Sequence, residues 1–95
     1  MHIVFLRFTA DKARASHFMA AHNEWLQRGF TDGVFLLAGS LGPGLGGAIL
    51  ADGEPLTALE ARVAADPFVV EGIVSADIST IVPGRTDPRL DFLRP

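Results

Sequence analysis

The stretch Ala65-Asp66-Pro67-Phe68 and the run behind it, ADPFVVEGIVSADI from Ala65 to Ile78, decides the fold. Proline at 67 biases Asp66 out of the α region, so a helix arriving from upstream ends there. Asp before Pro is also a normal N-cap for a short turn, here Pro67 to Glu71, because a carboxylate oxygen accepts the free amides of a first turn. From Gly72 to Val82 the residues alternate enough for a last strand.

Upstream of that boundary, Pro55 suits a first helical turn, Thr57 and Glu60 have capping-box spacing, and Leu56, Leu59 and Val63 form one stripe. The spacing predicts a helix over 55–65. Asp52-Gly53 is a turn signal, preceded by a short strand Ala48 to Ala51. GSLGPGLGG, Gly39 to Gly47, reads as a hairpin loop or a flexible connection, and VFLLA, Val34 to Ala38, as a strand whose two faces must both be covered.

His2 to Phe8 is apolar on both alternating faces and reads as a doubly buried first strand. Thr9 or Asp11 can cap the helix that follows, which runs to about Arg28 and is ended by Gly29. At about 100° per residue, Ala15, Phe18, His22, Trp25 and Leu26 share one stripe of it. The order is therefore β-α-β-β-α-β. That is the α+β, ferredoxin-like pattern with an antiparallel sheet and both helices on one face. The other face stays apolar in at least the first two strands, which predicts a homodimer through the sheet.

Ninety-five residues make one domain, taken as 1–83, with a tail over 84–95 whose Leu90, Phe92 and Leu93 are expected to pack on the domain or a partner. Hydrophobic residues form 48% of the chain and charged ones 20%, too apolar for disorder. The net charge is −3 and the eight Lys and Arg are scattered, so the basic stripe that nucleic acid requires is missing. With no cysteine there is no thiolate nucleophile or Cys-ligated zinc, which fits a reducing, cytoplasmic setting. The apolar run MHIVFLRF is too short to span a bilayer, and no cleavage signal follows it.

Chemistry enters through few residues. GPGLGG, Gly42 to Gly47, matches G-x-G-x-x-G in letters only, because a strand follows where a dinucleotide site needs a helix. His22 lies near the centre of an apolar stripe. A lone histidine there is more often a core residue bonded to a carbonyl, yet imidazole titrates near neutrality and suits general acid–base work once a partner fixes its tautomer. Asp66 is a candidate for that partner, and capping leaves its second oxygen free. Arg7 interrupts an apolar strand and is a candidate for an anionic substrate group, although a strand-end arginine reaching solvent accounts for it as well. Ser40 follows a strand and is a candidate pocket residue. His17 and His22 point about 140° apart on the helix, so no metal site is expected, and no cofactor motif is present.

HNEWLQRGFTDGVFLLAGSL (His22 to Leu41), GGAILADG (Gly46 to Gly53) and LEARVAADPFVVEGIVSADI (Leu59 to Ile78) together resemble the YCII-related (YciI-like) family up to about Val82. The most specific parts are the helix His followed by Trp-Leu, the glycine after the second strand, and Asp-Pro-Phe before the last. The resemblance implies a ferredoxin-like fold that forms a dimeric α/β barrel, with an active-site pair at His22 and Asp66. Ser40 departs from it, since proline commonly follows the glycine there. A few members resemble enzymes that eliminate chloride from, or isomerise, hydroxylated rings. The expectation is thus a cofactor-independent lyase, isomerase or hydrolase acting on a small organic molecule. A non-catalytic ligand-binding or accessory module is the alternative, and a cofactor-free oxygenase a further one by fold analogy.

Overall fold

The computed structural model describes residues 1–95. Strand β1 (His2–Phe8) leads through a 3₁₀ turn (Lys12–Arg14) into helix α1 (Ala15–Thr31). Strands β2 (Phe35–Leu41) and β3 (Gly46–Ala51) follow, then α2 (Leu56–Ala64), the single-turn α3 (Pro67–Val70), β4 (Val74–Thr80) and a 3₁₀ turn over Pro88–Leu93. The four strands form one antiparallel sheet in the order β2-β3-β1-β4, the ferredoxin-like arrangement. No helix is long and apolar enough to cross a membrane.

Alternation along the strands assigns the two faces. Val4 and Leu6 of β1, Ile49 and Ala51 of β3, and Val74 of β4 pack with Ala15, Trp25, Leu59 and Val63 of the helices in one core. The helices therefore cover one face of the sheet. The opposite face carries Ile3, Phe5, Leu50 and Leu37, and Leu37 is 58% exposed. Within a single chain, the expected double burial of β1 and β2 is thus met on one face only.

Several boundaries differ from expectation for local reasons. The first helix runs through Gly29 to Thr31 because Gly29 is an approach point: a Cβ there would occupy the Phe35 ring. Termination falls to Gly33, at φ +74°, with Val34 N–H donating to Gly29 O and Gly33 N–H to Phe30 O, a Schellman motif. Neither Thr9 nor Asp11 caps α1. The Thr9 hydroxyl instead donates to the carbonyls of Gly72 and Ile73, tying the end of β1 to the loop before β4. Thr57 lies inside α2, whose N-cap is Pro55, so the capping box does not form.

The glycine-rich loop is mostly strand. Pairing carries β2 through Gly39, Ser40 and Leu41 and starts β3 at Gly46, which leaves a tight turn between them. The last strand is shorter than expected because Gly72, at φ +70°, closes a second Schellman motif behind α3, with Ile73 N–H donating to Phe68 O. In the tail, Asp87 caps the final 3₁₀ turn and Leu93 is buried on the domain, whereas Leu90 and Phe92 stay exposed.

The layers are cross-braced away from the sheet. Trp25 Nε1–H donates to Arg62 O at 2.9 Å, and Arg62 donates to Glu54 at 2.9 Å and to Asp32 at 3.0 Å. The Glu54 hydrogen bond, helped by Asp32, holds the Arg62 guanidinium pKa above its ordinary value.

Candidate active site

α1 delivers His22 to the helix–sheet interface, and α3 delivers Asp66 to the same place. Asp66 is the N-cap of α3: with Pro67 behind it the residue sits at φ −58°, ψ 125°, and its Oδ1 accepts the Phe68 amide at 3.0 Å. The same oxygen lies 2.7 Å from His22 Nδ1. A carboxylate oxygen only accepts, so Nδ1–H of His22 is the donor, and in the neutral ring this assignment puts the lone pair on Nε2. Arg14 helps to hold the two helices together, donating to the Glu71 carbonyl at 3.0 Å and to its carboxylate at 3.1 Å.

The pair is shielded. Asp66 is 0% exposed and the His22 side chain 12%. The imidazole stacks on the Phe68 ring with centroids 4.1 Å apart and planes 3° apart, and Trp25 lies 5.7 Å away on the same stripe. Asp66 Oδ2 is buried and has no hydrogen-bond partner within the protein. An unpaired buried acceptor costs about 1–3 kcal/mol, and the few such groups in a native protein call for an explanation.

His22 borders a cavity of about 290 Å³, walled by Leu6, Phe8, Met19, Leu26, Phe68 and Val74. Its polar side chains are His22, Asn23 and Ser40, and no Asp, Glu, Lys or Arg lines it. Ser40 reaches the cavity because β2 is longer than expected: it pairs with Gly47, which pairs with Leu6, all three on the helix-covered face. Arg7 does not. It lies on the opposite face, 3.9 Å from Asp77 and over the Phe5 ring, since its neighbours Leu6 and Phe8 take the two inward positions. Of the two readings of Arg7, the geometry favours a strand arginine that reaches solvent, and it does not line this cavity.

Two contributors were missed from the sequence. Asn23, next to His22 in the chain and outside the apolar stripe, lines the cavity. Phe68 was read only as part of Asp-Pro-Phe, whereas its amide and its ring each fix one member of the pair.

No known family profile matches the sequence, and no curated protein matches it. Among solved structures, the chain is similar to 5-chloro-2-hydroxyhydroquinone dehydrochlorinase from Burkholderia phenoliruptrix AC1100, in complex with 2,5-dihydroxybenzoquinone. The TM-score is 0.69 at 19% identity, over 88% of this chain and 96% of that one. At that identity the likeness is one of fold.

Proposed function

We propose that this chain is a cofactor-independent enzyme, a lyase, isomerase or hydrolase, that moves a proton on a small organic molecule held in the cavity beside His22. The single observation that carries the reading is the 2.7 Å hydrogen bond from His22 Nδ1 to a wholly buried carboxylate, with the ring bordering the cavity. Nε2 takes the substrate proton and later returns it. Asp66 orients the ring and stabilises the imidazolium that forms between the two transfers, a division of labour worth about 10²–10⁴-fold for the acid–base step. The buried, unpaired Oδ2 supports the same reading, because its cost has a use if a negative charge is needed behind the ring. The similar structure belongs to an enzyme named for removing hydrogen chloride, a reaction that begins or ends with a proton transfer.

The test is turnover across a panel of small hydroxylated and halogenated compounds, with His22→Gln and Asp66→Asn beside the parent. Both variants are expected to lose about 10²-fold or more while remaining folded. Full activity in both sinks the reading and leaves a ligand-binding module.

The assembly in this reading is a homodimer that covers Ile3, Phe5, Leu37 and Leu50. Those residues share the sheet face opposite the helices, where Leu37 is exposed and Ile3, Phe5 and Leu50 are half-buried. Sedimentation at micromolar concentration is expected to give a dimer that Leu37→Glu converts to a monomer; a monomeric parent would refute it.

A further inference from the structure

The two adjacent glycines that open β3 are there for different reasons. Gly46 has φ +130°, and a Cβ at that position would run into the Leu6 carbonyl oxygen, so the backbone itself demands glycine. Gly47 is far less constrained, needing its strand neighbour to give by only a few tenths of an ångström. Its φ lies outside the left-handed region, and an added Cβ would meet only the Gly39 carbonyl oxygen, at 3.2 Å. A strand position beneath a helix ordinarily carries a branched or aromatic side chain. Here the register places Gly47 between Ser40 and Leu6, with Ala38 and Ile49 paired in the next inward row. Three small residues, Ala38, Ser40 and Gly47, thus face Met19, His22, Asn23 and Leu26 across the cavity.

We propose that Gly47 determines specificity: by withholding a side chain it keeps open a slot that admits a flat, uncharged ring beside His22 and excludes thicker or charged molecules. One missing side-chain layer corresponds to a gap of about 4 Å, the van der Waals thickness of an aromatic ring. An apolar cavity of about 150 Å³ takes benzene, so the about 290 Å³ here leaves room for ring substituents. Asn23, Ser40 and His22 supply hydrogen bonds at the rim. No Asp, Glu, Lys or Arg lines the wall, and the Asp66 carboxylate behind His22 already balances that ring, so an anion finds no unpaired counter-ion on entering. The inference deepens the proposed function and rests on the cavity being its substrate site.

The probes are phenol, cyclohexanol with the same hydroxyl on a puckered ring, and benzoate with a flat but charged frame. Binding is followed through the His22 ring resonances of the full chain, in the parent, Gly47→Ala and Gly47→Val, with thermal melting as the folding control. Phenol is expected to shift the His22 signals. Cyclohexanol and benzoate are expected to bind at least about 10-fold more weakly, and Gly47→Val to weaken phenol by about 10–200-fold, with Gly47→Ala intermediate. Gly47→Ala adds one methyl and keeps the test alive if the valine variant does not fold. Equal binding of the three probes, phenol affinity unchanged in a folded Gly47 variant, or no effect of any probe on His22 would each overturn the slot. Failure here with His22-dependent turnover intact removes this inference alone. Loss of His22 dependence with the slot result intact removes only the acid–base reading.

Discussion

Trp25 and His22 sit one turn apart on the same stripe of α1, and each reaches across to the segment that closes α2, yet they end in opposite kinds of surroundings. Around Trp25 every polar group is partnered: the indole bonds Arg62 O, Arg62 bonds Glu54 and Asp32, and Gly29 lets the Phe35 ring press against the helix. Around His22 a carboxylate oxygen is orphaned and a cavity is left unfilled. Local rules are satisfied at one end of the stripe and broken at the other, and broken rules concentrate where a protein does chemistry. The comparison sets a fully braced end beside Trp25 against the proposed site of chemistry beside His22.

The strongest way to break it is at Phe35, which is 2% exposed and packs edge-on against Trp25 at 5.2 Å. Phe35→Ala is expected to cost about 3–5 kcal/mol in urea unfolding, a large part of a small domain's stability. A loss under about 1 kcal/mol would mean that this end is not the anchor.

At the other end, His22→Leu suits the apolar stripe but strips a buried carboxylate of its charged-group hydrogen bond, and is expected to cost about 1.5–3 kcal/mol. Adding Asp66→Asn, which keeps an oxygen for the Phe68 amide and removes the charge, is expected to recover most of that loss. A double variant less stable than His22→Leu alone would show that the pair is a structural brace like the one at Trp25.

Gly29→Ala sharpens the contrast with Gly47. The added methyl collides with the Phe35 ring, so about 1–3 kcal/mol of destabilisation is expected by thermal melting, against a much smaller shift for Gly47→Ala. Arg7→Ser is the smallest case: its contact with Asp77 is 3.9 Å long between side chains 52% and 66% exposed. Less than about 0.5 kcal/mol is expected, with phenol binding at His22 unchanged. A binding defect would return Arg7 to the site.

How far these two regions were legible beforehand follows from the range of the interactions that build them. The α1 stripe and the strand order were readable because helical and strand periodicity are local. Asp66 as a cap was readable too, since Pro67 alone forces it. Gly29 was misread as a stop because its real reason is Phe35, which reaches it only through tertiary packing. The glycines from 39 to 47 looked like loop because nothing local reveals that Ser40 and Leu41 have strand partners at Gly47 and Gly46. Arg7 stays open between substrate and solvent in the sequence because Ile3, Val4, Phe5, Leu6 and Phe8 are apolar on both faces and hide which way the arginine points. The meeting of His22 and Asp66 across 44 residues came from the family resemblance, and no periodicity carries it.

The shared oxygen of Asp66 makes folding and reactivity read the same atom. The Phe68 amide and the His22 imidazole are both bonded to Oδ1, at 3.0 and 2.7 Å, and α3 is only four residues long. A substitution at position 66 is therefore tested twice and can pass one test while failing the other: serine caps a helix as well as aspartate does, but its side chain is shorter and carries no charge for the imidazole. The Phe68 amide is in turn a built-in gauge, because its hydrogen-exchange rate reports how often this one turn opens and, with it, how often the histidine loses its partner.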